Sequence, residues 1–158
     1  YLGLCLGMQI ASIEFARNVL GISDADSEEF RPSGKNNVIH IIAEQRSALA
    51  NGEYGASMRL GAYPCVLEKQ STSYKLYAQE KISERHRHRF EFNNNYRDAF
   101  EKAGMIFAGL SPDHHLVEII EIPDHKFYIG VQFHPEFQSR PGNPHPLFDG
   151  FVRAVLRK

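Results

Sequence analysis

The sequence predicts an α/β fold, and three observations predict it. Short apolar runs of strand length, VIHII at Val38–Ile42 among them, alternate with segments whose apolar residues recur at helical spacing. Turn-rich stretches such as RPSGKNN at Arg31–Asn37 separate the two kinds. The length of 158 residues, with 42 % hydrophobic and 23 % charged content, suits one domain around one core.

Each element follows in order. Tyr1–Leu4 reads as the end of a buried strand, so a segment upstream of Tyr1 is expected. Leu6, Ile10, Ile13 and Leu20 then mark one apolar helix face, closed by Gly21 as a C-cap. SDADSEEF at Ser23–Phe30 is acidic and irregular, and VIHII is a buried strand. NGEYGASMRLGAYP at Asn51–Pro64 reads as a loop entering a half-buried strand, with Met58, Leu60 and Ala62 facing in and Ser57, Arg59 and Gly61 facing out. In RHRHRF, alternation puts Arg85, Arg87 and Arg89 on one face and His86, His88 and Phe90 on the other. A helix over Asn95–Ala103 packs Tyr96, Ala99, Phe100 and Ala103, and Gly104 ends it. Three strand-like runs follow at Met105–Leu110, Leu116–Ile122 and Phe127–Phe133, close enough to require hairpins. After Pro146 a last helix aligns Phe148, Phe151, Val152 and Val155.

Composition excludes several classes. A formal net charge of −1 gives no overall pull toward nucleic acid or anionic membranes, and no apolar run reaches the length of a membrane span. Cys5 and Cys65 are too few for a disulfide framework and fit a reducing, cytoplasmic setting. His86 and His88 provide only part of a metal shell, with no Cys or carboxylate spaced to complete it, so no metal site is expected. The flanks Glu84 and Glu91 dilute the arginine charge, which disfavours a nucleic-acid face. His114 and His115 lie in a turn, SPDHH, and read as solvated.

Chemistry enters at GLCLG. Gly3-Leu4-Cys5-Leu6-Gly7 is the thiol form of the G-x-S-x-G elbow, in which small flanks allow a sharp strand-to-helix turn that holds the nucleophile out of the core. A helix N-terminus favours the thiolate and can lower a cysteine pKa to about 3.5–7.5. The Leu6 N–H would face an oxyanion formed on an attacked carbonyl. At the end of YIGVQFHPEF, strand periodicity sends His134 and Glu136 to the same side, with Pro135 blocking a ladder bond between them. A carboxylate there fixes the imidazole tautomer and leaves Nε2 free to take the thiol proton. Taken alone, the elbow also reads as a buried cysteine in a turn and HPE as a surface turn; together they fit one active site.

GLCLGMQ followed by GVQFHPEF resembles the class I glutamine amidotransferases, whose Cys-His-Glu site hydrolyses glutamine to glutamate and ammonia. MRLG at Met58–Gly61, ERHRHRFE at Glu84–Glu91, LVEIIEIPDH and HPLFDGFV resemble one branch of that family in particular, the glutaminase domains of the CTP synthases. The resemblance spans essentially the whole chain. It implies a three-layer, flavodoxin-like fold, incomplete at the N-terminal side, with Cys5 as nucleophile, His134 as base and acid, and Glu136 as the residue orienting it. It further implies that Leu6, Gly7, Met8 and Gln9 line the glutamine site, with Gln9, Glu29 and Arg89 suited to the polar ends of the substrate. From spacing alone, Gln9 reads rather as a solvated helix residue and Glu29 as a loop carboxylate.

Beyond this chain, the resemblance implies upstream strands, a glycine-rich loop carrying the other oxyanion donor, and a synthetase domain that binds UTP, ATP and magnesium. It implies GTP as an activator, with Arg59 a candidate contact, and a homotetramer for the full-length enzyme. No cofactor is expected in the 158 residues themselves, and glutaminase activity of the isolated chain is expected to be weak or absent. A glutaminase domain of another class I amidotransferase, such as that of GMP synthase, and a noncatalytic α/β interaction module are the alternatives. The MRLG and RHRHR stretches favour the first reading.

Overall fold

The computed structural model describes residues 1–42 and 58–156. Asn51–Ser57, the expected loop before the MRLG strand, lies outside the described residues. A six-stranded sheet has the order β1-β9-β8-β7-β4-β5, formed by Leu2–Leu4 (β1), Ile129–Val131 (β9), Val117–Glu121 (β8), Ile106–Leu110 (β7), Arg59–Leu67 (β4) and Lys81–His88 (β5). β1 and β9 are parallel, with Leu4 opposite Val131, and the remaining neighbours are antiparallel. Asp26–Ser27 (β2), Asn37–Ile41 (β3) and Phe90–Phe92 (β6) form a smaller sheet.

Among the described residues the α-helices are Leu6–Asn18 (α1), Thr72–Tyr77 (α2), Arg97–Lys102 (α3) and Pro146–Leu156 (α4). They cover both faces of the large sheet, giving three layers. On one face Met8, Phe15 and Ala16 of α1 pack with Ile39, Phe92, Phe100, Phe107 and Ile120. On the other, Cys65, Ile119, Val131 and Phe133 pack with Tyr77 of α2 and Leu147 of α4. Adjacent strand positions, such as Phe107 and Ala108 or Ile119 and Ile120, serve opposite cores, as the period of two requires.

Four expectations are corrected. In α1 the buried face carries Met8, Gln9, Ala11, Ser12, Ile13, Phe15 and Ala16, while Leu6 and Ile10 are exposed. The small residues let α1 lie close against β9, where Gly130 approaches the backbone of Met8. In β4 the two faces are inverted: Arg59 is buried and Leu60 is 64 % exposed. The Arg59 guanidinium is held 2.6 Å from the fully buried Glu118 and 4.4 Å above the ring of Tyr63, which outweighs the apolar pattern around it. In α4 Leu147 and Gly150 are buried while Val152 and Val155 are exposed, because Gly150 lets the helix approach Leu76. Finally, Pro135–Phe137 is a turn of 3-10 helix rather than strand, since proline cannot extend the ladder.

β5 alternates as expected, with Ile82, Glu84, His86 and His88 inside and Lys81, Ser83, Arg85 and Arg87 outside. α2, β2 and β6 have no counterpart in the sequence reading.

Candidate active site

Cys5 stands between the end of β1 and the first turn of α1 with φ 48° and ψ −104°, a left-handed backbone that side-chain-bearing residues rarely adopt. Its N–H donates to Val131 O at 2.7 Å, and its carbonyl accepts from Gln9 N–H at 3.3 Å. The elbow is thus clamped to the neighbouring parallel strand. The flanking glycines serve a different purpose from the positive φ, which belongs to Cys5 itself: a Cβ on Gly3 would lie 2.6 Å from the Tyr1 ring. The Tyr1 hydroxyl in turn donates to Gly7 O at 2.8 Å.

Partial burial pushes the Cys5 thiol up from its ordinary pKa. The Leu6 N–H and the Gln132 amide draw it down, whereas the Glu136 and Glu29 carboxylates raise it further. The helix N-terminus, expected to favour the thiolate, is outweighed here: desolvation prevails and the thiol form is favoured. In that state it donates weakly toward Arg87 O, at 4.0 Å.

Local geometry orients the His134 imidazole. His134 Nδ1 lies 2.6 Å from Glu136 Oε1, while Nε2 is buried and has no hydrogen-bond partner among the described residues. A carboxylate at Nδ1 fixes the proton there and leaves Nε2 as the acceptor. The main chain of His134 donates to Arg85 O at 2.8 Å, and Gln138 Nε2 reaches Ser83 O at 2.9 Å and the buried Glu84 at 2.6 Å. The HPE turn is thereby fastened to β5.

A cavity of about 220 Å³ opens on the sulfur, lined by Cys5, Leu6, Gln9, Glu29, Met58, Arg87, His88, Arg89 and Phe90. Of the expected substrate residues, the structure brings Leu6, Gln9, Glu29 and Arg89 to this wall. Met8 is fully buried in the core, and Gly7 lies behind the wall against Tyr1. Gln9 is 3 % exposed, not a solvated helix residue, and its Nε2 donates to Phe90 O at 3.0 Å and to Gln132 Oε1 at 3.2 Å. Gln132, fully buried, directs its Nε2 to the Cys5 sulfur at 3.8 Å.

Gln132 is not among the residues the sequence singles out. A signal for it exists, because two residues before His134 on a strand end is the same side of the sheet. His88 also enters the wall, its pKa lowered to about 4 by burial and then by Arg59, so it stands neutral there. His86 is lowered to about 2, by burial first and Arg59 second, and shares a 2.9 Å hydrogen bond with His88. Glu118 behind them is raised to about 7 by burial, partly offset by Arg59. Arg59 is 8 % exposed, with its guanidinium held against Glu118. Among the described residues no group of three or more His, Cys, Asp and Glu is placed to hold a metal ion, and no helix is long and apolar enough to cross a membrane. Both cysteines are free.

The profile of the glutamine amidotransferase class-I family matches residues 1–154. The chain belongs to the class I glutamine amidotransferases. Within that family it is similar to CTP synthases: 57 % identical to that of Lactobacillus johnsonii over 98 % of this chain, and 56 % identical to that of Chloroflexus aggregans over 99 %. The chain spans about 28 % of the length of these curated relatives. Among solved structures, the Trypanosoma brucei CTPS glutaminase domain with bound acivicin superposes over the whole chain and 60 % of its own, with a TM-score of 0.91 and 40 % identity. A putative GMP synthase protein from Thermoplasma acidophilum, with a TM-score of 0.57 and 14 % identity over 97 % of this chain and 55 % of its own, shares the fold. The α/β architecture is that of a class I amidotransferase glutaminase domain, flavodoxin-like and layered on both sheet faces.

Proposed function

We propose that this chain carries the glutamine-hydrolysing site of a CTP synthase. The observation that carries the reading is the pairing, at the ends of two hydrogen-bonded parallel strands, of a strained Cys5 with an imidazole whose Nδ1 is bound by Glu136 and whose Nε2 is free. Nε2 of His134 takes the Cys5 proton, and the sulfur attacks the side-chain amide carbon of glutamine. The Leu6 N–H lies beside the developing oxyanion. His134 returns the proton to the leaving nitrogen, releasing ammonia and a thioester, which a water activated by the same imidazole hydrolyses to glutamate.

Glu29 faces the substrate ammonium and Arg89 its carboxylate, so an analogue lacking either group forfeits the corresponding charged contact with the cavity wall. In the relatives' longer chains the ammonia would serve amination of UTP to CTP, with ATP and magnesium held by a synthetase domain, GTP as activator, and a cytoplasmic homotetramer as the assembly. Arg59 remains the candidate GTP contact of this chain.

The test is exposure to a diazo-ketone glutamine analogue followed by site-resolved mass spectrometry, together with glutamate release from glutamine in a protein of the relatives' full length carrying this sequence. Selective labelling of Cys5 and loss of release in Cys5→Ala, with synthesis from supplied ammonia retained, are expected. A noncatalytic docking module gives no reason for selective labelling. Unlabelled Cys5, or release that survives Cys5→Ala, overturns the proposal.

A further inference from the structure

We infer that Gln132 is a further catalytic residue: its side-chain amide, locked in one orientation by Gln9, donates to the Cys5 sulfur and favours the thiolate that attacks. This rests on the reading of Cys5 as the nucleophile. The direction of the relay is set at its far end by an atom that has no choice. Phe90 O is a backbone carbonyl and can only accept, so the Gln9 group facing it at 3.0 Å is the amide nitrogen. That same nitrogen lies 3.2 Å from the other amide, whose near end must therefore be the oxygen, Gln132 Oε1. The far end of Gln132 is then Nε2, a donor, 3.8 Å from Sγ. A flipped Gln132 would set two NH₂ groups against each other and turn an acceptor toward the sulfur.

Both amides are buried, with Gln132 fully so, and water cannot replace these bonds cheaply. The arrangement has a consequence for Gln9: its nitrogen is occupied by Phe90 O and Gln132 Oε1, so its contribution to the site is to hold Gln132 rather than to give that donor to a substrate carboxylate. In the resting thiol the proton is directed toward Arg87 O. On activation the proton moves to His134 Nε2, and the sulfur, now anionic, keeps the Gln132 and Leu6 donors. A donor to the charged form favours that form. The other charged and titratable groups around the sulfur are Glu29, Arg87, His88 and Arg89 in the wall and the His134–Glu136 pair; Glu136 and Glu29 oppose the thiolate, which is why an uncharged donor at the sulfur matters.

The experiment is the pH profile of Cys5 alkylation by iodoacetamide, resolved from Cys65 by peptide mass, with far-UV circular dichroism as the fold control. Gln132→Met should raise the apparent pKa of Cys5 by about one unit, slowing alkylation below that pKa about tenfold while the high-pH plateau stays unchanged. Gln9→Met should shift the profile the same way by less. A merely structural role would leave the profile of the folded variants in place, and profiles superimposable on wild type for Gln132→Met, or for Gln9→Met where Gln132→Met fails to fold, would overturn the inference. The readout involves no glutamine: a shifted profile without glutamate release sinks the glutaminase reading alone, and glutamate release with an unshifted profile sinks only the role of Gln132.

Discussion

Replacing Arg59 by methionine tests the interior charge network that backs the cavity wall. Arg59 is 8 % exposed and lies 2.6 Å from Glu118, whose side chain is entirely buried. Methionine fills the stem volume but leaves a carboxylate in the core with His86, 3.7 Å away, as its ionisable partner. Removing one member of a buried ion pair costs about 3–5 kcal/mol, a large share of a domain stability of about 5–15 kcal/mol. The double change Arg59→Met with Glu118→Leu removes both charges and should recover most of that loss.

The pH dependence has a definite sign. Glu118, raised to about 7 in the folded chain, contributes stability that is fully present below its unfolded pKa and lost as pH rises through about 7. Arg59 lowers that pKa, so its removal moves the loss to higher pH; it also lowers His86 and His88, which would then take protons more readily in acid. All three effects make Arg59→Met most destabilising above pH 7 and progressively less so toward pH 6. Urea unfolding of wild type, both single variants and the double variant at about pH 8 and about pH 6 measures this. A single-variant loss below about 1 kcal/mol, or a double variant no more stable than Arg59→Met, would refute the reasoning.

Replacing His134 by alanine removes the proton carrier and should lower the rate of glutamate release by about 10²–10⁴, whereas Glu136→Gln leaves a working imidazole in a less fixed tautomer and should cost less; equal rates for wild type and Glu136→Gln would take Glu136 out of the site. Gly130→Ala puts a Cβ 2.8 Å from Ile120 Cγ1 and 3.2 Å from the Met8 backbone, and should destabilise by about 1–3 kcal/mol in urea unfolding. Gly3→Ala meets only the side chain of the exposed Tyr1, which can turn away, so a loss as large as that of Gly130→Ala would contradict the packing described.

What is legible in the sequence follows from chemistry that has few alternatives. A cysteine at a glycine-flanked strand-to-helix corner and a His-x-Glu after an apolar strand point to one site, and β5 alternates as its arginines and histidines suggest. Amphipathic spacing is less reliable where long-range partners decide the outcome. Leu60 looks inward by pattern, yet Arg59 takes the inner face because Glu118 awaits it 59 residues later on β8. Leu6 and Ile10 hold helical spacing but face out, since α1 buries the small-residue face that fits against β9. Gln132 escapes notice because an amide in an apolar strand carries no motif. Its meaning lies in Gln9 and Phe90, residues remote in sequence and joined only by the fold.

The placement of Cys5 and His134 owes most to an element that contributes neither side chain. β5 is the last strand of the sheet and pairs with β4 on one edge. Two of its carbonyls serve the site: Arg85 O accepts the main-chain N–H of His134, and Arg87 O faces the Cys5 thiol. Residues two apart on a strand direct their carbonyls to the same edge, so a single strand sets the spacing between the turn that carries His134 and the corner that carries Cys5. For this to happen the sheet must curl until β5 meets the ends of β1 and β9, which stand at the opposite end of the strand order. An edge strand otherwise presents unpaired backbone groups that invite aggregation. Here that edge is covered by the HPE turn and the elbow, so closing the sheet and assembling the site are one event. The interior alternation of β5 serves the same end: Glu84 binds Gln138 and His145, His86 and His88 bind one another, and the strand that measures out the site is fixed along its length.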